Sequence, residues 1–184
     1  RYEYPSRLPR IVQGEMTELA RRILTHVEFD NAGFNIEFFW DAKRDRIWLV
    51  EVNTRVAQHH SDLFEKVDGM TNHEAPIQVA LGRRPRMPHR EGPFRRAATF
   101  FLRHYGDARV TAVPSRADMS AIERDIPGTV IHLQVEAGMR LSELFEQDSY
   151  SYALALIYIG ANSEQELLQR YRKVIDRLAF RFGP

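Results

Sequence analysis

Apolar residues recur along this chain with two different periods. Met16, Leu19, Ala20, Ile23, Leu24 and Val27 repeat at three- and four-residue spacing, with Glu18, Arg21 and Arg22 on the other side. This pattern predicts an amphipathic helix over 14–27. Ahead of it, residues 1–13 carry Pro5 and Pro9 and no clear period, and read as an extended lead-in. Asn31-Ala32-Gly33 punctuates. Phe34 to Trp40 then predicts an aromatic-rich strand, Asp41 to Asp45 a charged turn, and Ile47 to Val52 its antiparallel partner. Gln58-His59-His60-Ser61-Asp62 reads as a polar loop. A second helix is expected to open near Thr71 to Ala75 and to stop at Gly82. Thr71-Asn72-His73-Glu74 matches a capping box, while Pro76 favours a regular part that starts nearer residue 76.

Residues 83–96 hold three prolines and six arginines and mark the best boundary in the chain. They divide it into 1–88 and 89–184. Beyond them, Ala97 to Leu102 predicts a strand, Pro114 to Asp125 a short helix, Thr129 to Val135 a strand, and the apolar run Tyr152 to Ile159 a buried strand. Ser163-Glu164-Gln165-Glu166 is a second capping box. It opens a helix whose core face is Leu167, Leu168, Tyr171, Val174, Ile175, Leu178 and Phe182. Strands and helices in this order define an α+β chain: an antiparallel sheet with flanking helices, followed by a small α+β domain.

Composition narrows the function classes. The chain has 184 residues, 43% hydrophobic and 28% charged, which is globular composition. Its net charge of +1 makes no electrostatic case for nucleic acid, and the basic run at 83–96 reads as a solvated connector. The absence of cysteine excludes disulfides, zinc–thiolate sites, iron–sulfur clusters and a cysteine nucleophile. The apolar run 152–159 is too short to span a bilayer. No signal peptide is visible, and a cytoplasmic location is expected.

The chemistry concentrates at Glu51-Val52-Asn53-Thr54-Arg55. On an extended strand, positions i, i+2 and i+4 point to one face, so a carboxylate, a carboxamide and a guanidinium stand in a row. That mixture suits a hard divalent cation with phosphate beside it. Three solvated polar residues at a strand end is the plain alternative. Glu37 sits inside the apolar strand 34–40, where an unpartnered carboxylate is costly if buried. A hairpin of 34–40 with 47–52 can bring Glu37 beside Glu51. Like charges across a ladder repel, and a Mg²⁺ ion held by oxygen ligands would relieve both costs. Pairing of Glu37 with a basic side chain at a sheet edge is the competing reading.

Gly33-Phe34-Asn35-Ile36-Glu37-Phe38 followed by Leu49-Val50-Glu51-Val52-Asn53-Thr54-Arg55 resembles the metal-binding end of the ATP-grasp superfamily. The likeness continues through His60, Asp68-Gly69 and the helix ending at Gly82, covering about 15–85. The second half is similar, by pattern, to the C-terminal domains of biotin-carboxylase-like and L-amino-acid-ligase-like members. The resemblance implies that Glu37, Glu51 and Asn53 ligate Mg²⁺ (with Mn²⁺ an alternative), that Arg55 is catalytic and steadies the transferred phosphate, and that Phe39 packs near the adenine of ATP. It implies ATP-dependent joining of a small-molecule carboxylate to an amine through an acyl-phosphate.

Two departures shape this expectation. The family's glycine-rich lid and phosphate-binding lysines lie upstream of these motifs. Lys43 and Lys66 sit in no glycine-rich loop. The chain is therefore expected to be the C-terminal part of a longer enzyme, inactive by itself, whose partners include the missing N-terminal lid and preceding domain. Its aromatic content also permits a homodimer. His59 stands where biotin carboxylases carry an acidic base, which argues toward an amide-forming ligase. A biotin-carboxylase-like portion and a non-catalytic binding or dimerisation module are the alternatives.

Overall fold

The computed structural model describes residues 1–144 and 150–183. The chain opens with strand β1 (Tyr2–Tyr4), where the sequence predicts only an extended lead-in. Helix α1 runs Arg10–His26, beginning four residues ahead of the predicted start. Pro9 precedes it at φ −52°, a value the proline ring enforces and a helix entry accepts. The hairpin strands follow as predicted, β2 at Asn35–Asp41 and β3 at Arg46–Asn53. Asp41 shapes their turn, its Oδ1 accepting from the backbone N–H groups of Lys43 and Arg44 at 3.0 and 3.2 Å.

The predicted loop at 58–62 is helical instead. A 3-10 turn over Gln58–His60 leads directly into α2 (Ser61–Asp68), which Gly69 closes in the left-handed conformation at φ 84°. Leu63 and Val67 repeat four residues apart on the buried side of α2, a signal too short to stand out from its polar flanks. Helix α3 covers Glu74–Ala80. Its cap position is His73, without a side-chain cap, so Thr71 does not form the predicted capping box.

The second half supplies β4 (Arg96–Tyr105), β5 (Arg109–Ala112), α4 (Arg116–Asp125), β6 (Thr129–Leu133), β7 (Ser151–Ala161), α5 (Glu164–Ile175) and β8 (Arg181–Gly183). The main sheet is antiparallel in the order β1-β4-β7-β6. Every residue of β7 is buried, which explains its uninterrupted apolar run. Its Ala155, Ile157 and Ile159 pack with Ile122 of α4 and with Leu167 and Val174 of α5. Leu63 and Val67 of α2 pack with Ala97 of β4 and Tyr4 of β1 on the opposite side, so both halves of the chain share this sheet.

Ser163 caps α5 as predicted, accepting from the Glu166 N–H at 3.1 Å. The reciprocal arm of the box reaches one residue further back, the Glu166 Oε2 accepting from the Asn162 N–H at 2.8 Å. Helix α5 ends at Ile175, and Phe182 leaves the predicted helical face to pair with Val110 in the small β5–β8 ladder.

The connector 83–96 is held at two points. Gly92 lies so close to α2 that a Cβ there would meet the Lys66 carbonyl oxygen at 2.4 Å. The Phe94 ring fills the space over Gly128 and Gly160, where added Cβ atoms would fall 2.3 and 2.4 Å from it. The Arg170 guanidinium lies 5.6 Å from the same ring and donates to the carbonyls of Pro127 and Gly160.

Candidate functional site

The hairpin register decides what the predicted site can do. Glu37 stands directly opposite Glu51, and Asn35 opposite Asn53. Directly opposed residues share a face, so two carboxylates and two carboxamides form a four-residue polar patch. The register slips by one between Glu37 and Phe38, where Phe38 faces Leu49 and Val50 is left as the extra residue of a bulge. Strict alternation along β3 would have put Leu49 on the face of Glu51. The bulge instead puts Trp48 there, opposite Phe39. The polar patch therefore continues into two aromatic rings, both at least half exposed. Arg46 lies over Trp48 at 4.9 Å.

Glu37 and Glu51 are exposed, and among the described residues neither forms an ion pair with a basic side chain. The sheet-edge ion pair considered for Glu37 is thus not formed. Asn53 is half-buried, and its Nδ2 donates to Glu51 Oε1 at 2.7 Å, fixing one carboxylate rotamer. Arg55 lies in the bend just after β3, exposed and without a hydrogen bond or ion pair among the described residues. The structure thus joins Glu37, Glu51, Asn53 and Phe39 on one hairpin face, with Arg55 two residues beyond its end. An all-oxygen donor set of two carboxylates and an amide suits Mg²⁺, and among the described residues no basic side chain pairs with either carboxylate. Among the described residues no group of three or more acidic or histidine side chains gathers as a metal cluster.

The two histidines after the motif part company. His59 is exposed. Its carbonyl accepts from Thr99 Oγ1 at 3.2 Å, and its ring meets Phe101 of β4 edge-on at 6.2 Å. His60 is half-buried between Tyr2, at 5.1 Å, and Phe64, at 6.5 Å. Burial holds the His60 imidazole below its ordinary pKa, the neighbouring His59 adds to that effect, and Glu37 opposes it. Tyr2, Phe101 and Asn72 were not singled out by sequence. Asn72 accepts from Ser61 Oγ at 2.5 Å and donates to the Ala57 carbonyl at 2.9 Å, tying the entry of α2 to the segment ahead of α3. No spacing signal marks these three, because each acts through a tertiary contact.

This architecture is an α+β fold with a two-stranded, carboxylate-bearing hairpin and a separate four-stranded antiparallel sheet. Residues 5–87 match the family model described as carbamoyl-phosphate synthase L chain, ATP binding domain. The L-amino acid ligase from Bacillus licheniformis is similar with a TM-score of 0.74 and 13% identity, over 100% of this chain and 44% of that one. The biotin carboxylase domain of Hydrogenobacter thermophilus 2-oxoglutarate carboxylase, in complex with MgADP and bicarbonate, is similar at 0.65 and 15% identity, over 98% of this chain and 38% of that one. The urea carboxylase of Kluyveromyces lactis is similar at 0.65 and 18% identity, over 99% of this chain and 16% of that one. The chain spans less than half the length of each of these proteins. Comparison with curated proteins finds no match. Over residues 5–87 the chain is similar to this ATP-binding domain family, and over nearly its whole length it shares the fold of these solved structures.

Among the described residues, no helix is long and apolar enough to cross a membrane.

Proposed function

We propose that this chain is the metal-holding part of an ATP-dependent carboxylate–amine ligase, expected in the cytoplasm, that works through an acyl-phosphate. The observation that carries the reading is the direct opposition of Glu37 and Glu51 with Asn53 bonded to Glu51. Such a set would hold Mg²⁺ through oxygen, and the ion would supply charge neutralisation for the phosphates of ATP. Arg55, two residues past Asn53 in the bend after β3, would stabilise the oxyanions of the transferred phosphate. Phe39 and Trp48 offer two exposed rings on the same face, against which an adenine can stack. The likeness to the L-amino acid ligase supports the amide-forming reading.

The likeness to carboxylases supports a second reading, a biotin-carboxylase-like portion. His59 weighs against it. It occupies the position of the expected acidic base, and its ring turns to Phe101.

The test is a titration of the chain with a non-hydrolysable ATP analogue, with and without Mg²⁺. Binding should require Mg²⁺ and be lost in Glu51→Gln. Equal binding without the metal, or in the variant, would refute the assignment. ATP consumption by the longer protein, screened against carboxylates and amines, would then separate ligase from carboxylase.

A further inference from the structure

A second site lies away from the hairpin. Asp68, the last residue of α2, keeps a side chain only 10% exposed. Its Oδ2 accepts from the Tyr4 hydroxyl at 2.6 Å and its Oδ1 from the Arg90 backbone N–H at 2.8 Å. Both donors are neutral. The Arg90 guanidinium donates to the Arg95 carbonyl at 3.1 Å, and its charge also acts on Tyr4, without forming an ion pair with Asp68. Among the described residues, no lysine or arginine pairs with Asp68, and the one basic side chain near its carboxylate is the exposed His89, which also lines the cavity below, with Nδ1 at 3.6 Å. Tyr4 holds its proton far above the ordinary tyrosine range, through burial first and the Asp68 bond second, so it remains a neutral donor.

This carboxylate opens on a cavity of about 350 Å³ whose walls are mainly apolar, with Phe64, Met70, Met87 and Pro88 around it. A neighbouring cavity of about 280 Å³ shares Phe64, Asn72, Ala75 and Met87 with it and reaches Asn35 and His60. A carboxylate has about four acceptor positions, and two neutral donors leave half of them open. A buried charge in an apolar cavity is costly until a cation pairs with it. Flexible thioethers at Met70 and Met87 adapt to an alkyl chain.

We propose that Asp68 and the cavity around it bind a small organic cation, a primary ammonium carried on an apolar chain. Asp68 takes the ammonium, and the walls take the chain. An anionic ligand is repelled there, and a neutral one leaves the charge unpaired. This site stands independently of nucleotide binding at the hairpin.

The test titrates the chain with n-hexylammonium, n-hexanol and hexanoate, followed by NMR shifts. Hexylammonium should saturate and bind at least tenfold tighter than hexanol, with no saturation by hexanoate. Asp68→Asn should bring hexylammonium down to the affinity of hexanol. Met87→Trp, at an exposed position common to both cavities, should weaken hexylammonium at least tenfold while leaving the melting temperature in place. It also provides a test that does not depend on the folding of the Asp68 variant. Hexanol binding as tightly as hexylammonium, or Met87→Trp leaving the affinity unchanged, would overturn the proposal.

Discussion

Glu37 and Glu51 face each other directly across the β2–β3 ladder, and among the described residues neither forms an ion pair with a basic side chain. Like charges in that relation are destabilising, although exposure screens the effect. Glu51→Gln should therefore melt at the same temperature as the natural chain or slightly higher in a metal-free buffer. The natural chain should gain melting temperature on adding Mg²⁺ with an ATP analogue, and the variant should not. Thermal melts under both conditions read this out. A variant that melts clearly lower without metal would show that the pair is structural.

Phe94 ties the connector to the second half through the space left by Gly128 and Gly160. A methyl group at residue 160 would fall 2.4 Å from the Phe94 ring, so Gly160→Ala must expel it. The cost should be about 1–3 kcal/mol, as for other overpacked sites. Phe94→Ala should cost a similar amount by opening a cavity. Because both changes break one contact, the double variant should cost clearly less than the two together. Denaturant unfolding of the three variants measures this coupling, and strict additivity would contradict the socket.

How far the sequence could be read depends on where each signal resides. The strands at 34–40 and 47–52, the apolar run of β7 and the Ser163 cap were legible because period, composition and capping are local properties. The opposition of Glu37 and Glu51 was legible as a consequence of the hairpin. The bulge at Val50 was not, because it is a property of pairing, and it is what exchanges Leu49 for Trp48 opposite Phe39. The three-residue strands β1 and β8 were missed because their stability comes from β4 and β5 and not from their own residues. Helix α2 was missed for the same reason. Its buried side is defined by Ala97 and Tyr4, which are distant in sequence.

Tyr4→Phe removes the hydroxyl that donates to Asp68 at 2.6 Å. A hydrogen bond to a buried charged group contributes about 1.5–3 kcal/mol, so the variant should lose stability of that order at neutral pH. The pH dependence follows from the raised folded-state pKa of Tyr4. Above the ordinary tyrosine pKa of about 10, the unfolded chain gives up this proton while the folded chain keeps it. Stability is then fully present below that pH and falls as pH rises above it. Burial also raises Tyr158 and Tyr171, so the variant should keep part of the alkaline loss. Unfolding free energies between neutral and alkaline pH should show a shallower decline for Tyr4→Phe. An unchanged slope would remove Tyr4 from the account.

Two β-branched apolar residues on different strands should respond very unequally to loss of side-chain volume. Ile157 lies at the centre of β7, fully buried between α4 and α5. Val50 is the bulge residue of β3 and is 60% exposed. Truncating Ile157 to Ala removes three carbons from close packing and leaves a void that the surrounding strands and helices cannot wholly close. The cost should be about 2–5 kcal/mol. Val50→Ala removes two carbons from a position that gives up little contact. Its change should stay within about 0.5 kcal/mol, as for surface sites away from special features. Both variants should unfold with an unchanged denaturant slope, so that the midpoints alone carry the difference. A large loss at Val50 would mean that the hairpin face is covered in solution by something that its exposure in the isolated chain does not reveal.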